Sequence, residues 1–232
     1  PATGEGITPM TKMKAAFALL AMTALSACNM VISEKPWFDA ASGPQLKDGL
    51  WANFDSPACK LETGTPLASW PECAQPMMIR GNSYSGPPAG GDPAMAAARF
   101  DPGKWQTMGH VLVEGEPQVD QLFIEPPGSK EAAAGVNARK PMYIYLAVKP
   151  IARDADGRIT ETHRWPVLCG PLPRNTKGKD GRPIFVTGQP FAGLTVAEGA
   201  CTAKDRAAAR NAAAQSEGVA QAAGFGIIAS RW

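Results

Sequence analysis

One segment restricts the fold of this chain more than any other: "PMYIYLAVKPIARDADGRITETHRWPVLCG", residues 141–170. Aromatic and β-branched residues alternate with polar ones on both sides of Asp156-Gly157. That is the pattern of two long antiparallel strands joined by a turn. A two-residue Asp156-Gly157 turn sets Val148 opposite Trp165, Leu146 opposite Val167 and Ile144 opposite Cys169. A four-residue Asp154–Gly157 loop moves the partners by two and leaves the faces unchanged. Either turn predicts an apolar face of those six residues, with Tyr143, Tyr145, Lys149, Thr162 and Arg164 on the other.

The same period recurs elsewhere. "WQTMGHVLVEGEPQVDQLFIE" reads as a second hairpin with its turn at Gly115–Gln118, and short apolar runs from Leu50 to Tyr84 form a first β region. Twenty-two prolines and 24 glycines favour turns over long helices. "SGPPAGGDPAM" (Ser85–Met95) is a loop and the best boundary between subregions. "PIFVTG" is a further short strand. One helix is predicted, over about 202–223, with Thr202 and Asp205 as a capping box and Gly224 as its stop. Its sides are nearly all alanine, which permits close approach to a sheet, and the tail "GFGIIASRW" offers a final strand. The fold class is therefore mainly β, a sandwich or open barrel built from hairpins, with one C-terminal helix.

The N-terminal region follows a different logic. Lys12 and Lys14 precede an uncharged stretch from Ala15 to Leu25. A basic start, a short apolar core and small residues describe a secretory signal peptide, and the run is shorter than the ~20 residues a spanning helix needs. The tetrad Leu25-Ser26-Ala27-Cys28 resembles the lipobox of bacterial lipoproteins. That resemblance implies cleavage before Cys28, acylation of its sulfur and new N-terminus, and a membrane as partner through the lipid. Several acyl chains on one residue anchor stably where a single chain does not. In the lipoprotein sorting rule an aspartate after the cysteine retains the protein in the inner membrane, so Asn29 points to the outer membrane, facing the periplasm. Residues 1–27 are then an upstream extension plus signal peptide, with Met10 or Met13 as the start. Residues 28–47 read as a lipidated tether, and 48–232 as a single domain. Trp37 and Phe38 either sit at the membrane interface or dock on that domain.

Four cysteines remain beyond Cys28. In an exported chain an even number reads as disulfides, and Cys59–Cys73 with Cys169–Cys201 pairs nearest neighbours. Zinc is disfavoured because no Cys-x-x-Cys occurs and His110 and His163 lack ligand spacing. Chain charge is nearly balanced, 23 Lys+Arg against 21 Asp+Glu, which offers no clustered basic surface for nucleic acid.

Recognisable catalytic motifs are missing from the sequence. "ARDADGRITETH" resembles a calcium loop but carries Ala152 and His163 where its first and last carboxylates belong, so it is a hairpin turn. No Gly-x-Ser-x-Gly elbow and no phosphate-binding glycine motif occur. His110 alternates within a strand and reads as a satisfied sheet residue. His163, on one face with Glu161 and Trp165, is the best acid–base candidate. Arg174, Lys177, Lys179 and Arg182 form a basic loop suited to anionic headgroups or an acidic partner. The sequence favours an outer-membrane-anchored, non-catalytic binding or structural module of the cell envelope, contacting a protein or polymer. No cofactor and no catalytic residue is assigned. The alternatives are an envelope-polymer hydrolase using His163 and Glu161, and an inhibitor of an extracellular enzyme.

Overall fold

A computed structural model of the chain describes residues 29–54, 56, 58–62, 64–88, 98–124, 142–172, 187–197, 200–224 and 226–231. Its elements in chain order are β1 (Ile32–Ser33), β2 (Gly49–Phe54), β3 (Ala74–Arg80), β4 (Ser83–Gly86), β5 (Gln106–Val113), β6 (Gln118–Ile124), β7 (Met142–Arg153), β8 (Ile159–Pro166), β9 (Leu194–Ala197), β10 (Ala200–Ala203), α1 (Arg206–Ala223) and β11 (Ile227–Arg231). Strands β2 to β8 pair antiparallel in chain order, and β11 lies between β8 and β2. The protein is thus a closed eight-stranded barrel. Of the sandwich and the open barrel read from the sequence, the barrel is realised, and the C-terminal tail closes it. Closure removes the unpaired edges that an open sheet would present.

Side-chain alternation sorts the barrel into two cores. Trp51, Ile79, Tyr84, Leu112, Leu122, Val148 and Ala229 point inward. On the outside of β5 to β8, Val113, Val119, Tyr145, Ala147 and Trp165 share one buried cluster with α1, whose Ala208, Ala209, Ala212, Ala213 and Ala220 are buried. Alanine at the contact lets the helix axis approach the sheet closely, and two polar bonds fix its register: Trp165 Nε1 donates to Ala213 O (2.9 Å), and Leu168 N to Ser216 Oγ (2.8 Å). Gly224, at φ 72°, ends the helix as the sequence predicts.

The two ends of the barrel differ. At one, tight turns join β3 to β4, β5 to β6 and β7 to β8; at the other, the connections 55–73, 87–105 and 125–141 are long. Of the predicted loop Ser85–Met95, Ser85 and Gly86 belong to β4 and residues 89–95 fall outside the described residues; β4 and β5, on either side of it, pair within the same barrel. The predicted disulfides are both formed. Cys59–Cys73 staples the β2–β3 loop, and Cys169–Cys201 ties the end of the β8 segment to β10.

Three expectations are corrected. Val148 lies opposite Arg164, Ala147 opposite Trp165 and Lys149 opposite His163, so Arg164 and Thr162 share the inner face with Leu146 and Val148, while Trp165 faces outward. The cause is the turn. Strand β7 ends at Arg153 and β8 begins at Ile159, and this odd-numbered loop reverses the parity that a two- or four-residue loop would give. Asp154 organises it, its carboxylate accepting from the amides of Asp156 (3.0 Å) and Arg158 (2.9 Å).

The helix begins at Arg206, capped by Asp205, whose carboxylate accepts from Ala208 N at 2.7 Å. Thr202 lies instead in β10, held beside β9 and the Cys169–Cys201 bridge. Finally, residues 29–47 are packed rather than a free tether. Asn29, Val31, Phe38 and Leu46 are buried. Gln121 Oε1 accepts from the amides of Trp37 (2.7 Å) and Phe38 (3.0 Å), so Phe38 docks on the domain. Most of "PIFVTG" falls outside the described residues, and the next described strand is β9.

Candidate functional site

The barrel interior holds a cluster that the sequence pattern did not single out. Asp120 on β6 is fully buried, and His110 on β5, Tyr84 on β4 and Arg164 on β8 are almost so. Asp120 receives two hydrogen bonds. One oxygen faces His110 Nδ1 at 2.9 Å, and the other accepts from the Tyr84 hydroxyl. His110 Nε2 lies 3.1 Å from Gly81 O. Both ring nitrogens therefore face oxygen acceptors, a carboxylate on one side and a backbone carbonyl on the other. The His110 and Tyr84 rings stack at 3.9 Å. Burial, reinforced by the neighbouring Asp120 charge, pushes the Tyr84 phenol well above its usual value; Arg164 acts in the opposite direction and is outweighed. Tyr84 is thereby held as a neutral donor.

Arg164 enters the interior on the same face as Val148. Its Nε donates to Thr162 Oγ1 at 2.9 Å, and its guanidinium carbon stands 5.5 Å from the ring centroids of both Trp51 and Tyr84. Its Nη2 is buried and unpaired among the described residues, while the guanidinium also acts on the Tyr84 hydroxyl as a hydrogen-bonding neighbour. Ring faces attract the cation, but they accept no N–H bond from Nη2.

Arg164 and Tyr84 border a cavity of about 600 Å³ at the long-loop end of the barrel. Its walls are largely apolar, formed by Met77, Met108, Leu122, Leu146 and Ile227. Such a volume lies within the ~300–1,000 Å³ of pockets that enclose one small ligand. The opposite half of the interior is filled by Leu46, Trp51, Leu112, Val148 and Ile159. A depression of about 560 Å³ on the outer surface, between the β5–β6 turn and α1, is lined by the mixed charges of Glu116, Lys149, Arg153 and Glu217. Lys149 and Glu217 pair there at 3.1 Å.

The residues singled out in the sequence lie elsewhere. Cys28 and the basic loop of Arg174, Lys177, Lys179 and Arg182 fall outside the described residues. His163 sits on the outer surface with its ring 5.2 Å from that of Trp165; neither His163 nor Glu161 has a hydrogen-bonded side chain among the described residues. No group of three or more His, Cys, Asp or Glu side chains placed for a metal occurs among them either.

The signal for the interior cluster was present. His110 pairs with Leu122, and Leu112 with Asp120, so the second hairpin's register makes His110 and Asp120 diagonal neighbours on one face. Searches against protein-family models, curated proteins and solved structures found no match.

Proposed function

We propose that this protein is a non-catalytic binding module of the cell envelope, anchored through a lipid on Cys28 to the outer membrane and facing the periplasm, that receives a small, largely apolar ligand in its barrel. The observation that carries the binding role is the asymmetry of the interior. One half is packed with side chains, whereas the half toward the long loops retains a ligand-sized apolar cavity. Loops on a rigid scaffold are where binding sites concentrate. The lipobox resemblance supports the anchor. Asn29, next to Cys28, is wholly buried, so an anchored barrel would stand close to the membrane.

Titration with a neutral environment-sensitive fluorophore tests the binding role. The wild-type protein should enhance its emission saturably, and Leu146→Trp, which fills the cavity, should abolish this while the barrel remains folded by circular dichroism. Equal binding by the folded Leu146→Trp protein would refute it. The anchor has its own test. Protein expressed in a bacterial host should partition into detergent with the mass of an acylated cysteine, and Cys28→Ser should not.

A further inference from the structure

We infer that the ligand is a single-chain amphiphile with one carboxylate, its chain against the apolar walls and its carboxylate on Arg164. This rests on the proposed binding role and adds the ligand's chemistry.

A buried cation without an ion-pair partner points to an anion. The Asp120 carboxylate is engaged by His110 and Tyr84. Tyr84 is a neutral phenol whose proton is committed to Asp120. Arg164, 4% exposed, is left as a buried cation with no carboxylate partner among the described residues. A buried charge is costly unless it is paired. A single carboxylate on the ligand would pair it.

The donors narrow the choice further. Nε is occupied by Thr162, whereas Nη2 is buried without an acceptor. Its free N–H can donate to a carboxylate oxygen in a charge-assisted hydrogen bond. A phosphate monoester brings more charge and more acceptors than this floor can satisfy. The walls supply the rest: Met108, Leu122, Leu146 and Ile227 offer only apolar contact, and about 600 Å³ accommodates one chain.

The test compares dodecanoate, its methyl ester and dodecyl phosphate by isothermal titration below micelle formation. Dodecanoate should bind the wild-type protein about tenfold or more tightly than the ester, the worth of a buried hydrogen bond to a charged group. Arg164→Met should level the two. Because that variant removes a buried charge and its folding must be checked, ¹³C NMR of carboxyl-labelled dodecanoate on the wild-type protein gives an independent reading. The bound carboxylate should stay ionised to lower pH than the free acid. Equal binding of acid and ester, or a bound carboxyl that protonates at higher pH than the free acid, would overturn the inference while leaving the binding role intact. Tighter binding of dodecyl phosphate would overturn the choice of carboxylate. Failure of every ligand and of the neutral fluorophore would refute the binding role itself.

Discussion

Asp120→Ala should be among the most damaging single substitutions in this protein, for reasons that separate charge from packing. The wild-type carboxylate, fully buried, accepts from Tyr84 and His110. Hydrogen bonds to a charged group contribute about 1.5–3 kcal/mol each, and removing one member of a buried ion pair costs about 3–5 kcal/mol because the other is left uncompensated. Tyr84 and His110 would both lose their acceptor and Arg164 the only buried carboxylate of the cluster, so a loss of about 3–5 kcal/mol is expected. At a urea m-value of about 2 kcal/mol per molar the midpoint falls by about 2 M, which the buried Trp51 and Trp165 report by fluorescence. Asp120→Asn should cost less. Its amide can still accept from Tyr84 and can donate to a neutral His110, which then keeps its Nε2–H bond to Gly81. Replacing Tyr84, His110 and Asp120 together with Phe, Leu and Leu should restore much of the loss, since an apolar trio needs no partners. A midpoint for Asp120→Ala within about 0.5 M of wild type would refute the assignment of a charged, mutually dependent cluster.

Three further outcomes follow from particular contacts. Lys47 lies 2.6 Å from Asp154 and is the main reason that carboxyl is held below its usual value, with the Arg158 and Asp156 amides assisting. Asp154 therefore favours the folded state above the ordinary carboxylate range, an effect lost as pH falls through the lowered folded value. Lys47→Met should move its NMR titration upward, and an unmoved titration would exclude Lys47 as the dominant cause. Ala212→Leu should destabilise by about 1–3 kcal/mol through overpacking of α1 against β6 to β8, measured by urea unfolding; a neutral result would mean the helix can withdraw. Asn29→Asp should cost about 1–3 kcal/mol, because Asn29 Nδ2 donates to Gly170 O (3.0 Å) while its Oδ1 accepts from Thr187 N (2.9 Å). Membrane fractionation of the same variant checks sorting separately, and unchanged stability would restore a purely sorting role to Asn29.

How much of the fold was legible depended on the range of the interaction. The β class, the β5–β6 turn, both disulfides and the stop at Gly224 follow from local alternation, cysteine spacing and left-handed glycine geometry. Barrel closure was only half visible. The tail reads as a strand, but its choice of both β8 and β2 as neighbours is a long-range fact. Residues 29–47 look like a tether because Pro36, Gly43 and Pro44 forbid regular structure; their burial comes from Gln121, distant in sequence, whose side-chain amide serves three backbone groups of Trp37 and Phe38. Thr202 satisfies a helix-cap pattern as well as Asp205 does, and pairing of β10 with β9 decides between them. The interior cluster was missed for a similar reason. His110 and Asp120 each look like an ordinary polar residue in a strand, and they acquire meaning only when β4 and β8 bring Tyr84 and Arg164 to the same face.

The placement of Arg164 shows how a local choice reaches the site. On the two- or four-residue turn, Arg164 lies among the exposed polar residues and Trp165 in the core. Asp154 instead binds two amides across the turn, Gly157 takes up a positive φ of 76°, and the loop closes with odd parity. That single step turns Trp165 outward onto α1, where its indole finds Ala213 O, and turns Arg164 inward, where a cation is costly. Strands buried on both faces make the exchange possible. Either parity buries apolar residues, so the hydrophobic pattern alone does not select one, and the turn decides. A folding-only account has little use for the result, because a buried arginine whose Nη2 has no acceptor weakens the fold. The cost is intelligible if the vacant donor is where a ligand's charge goes, and it places the determinant of that site at an exposed turn at the opposite end of the barrel from the cavity.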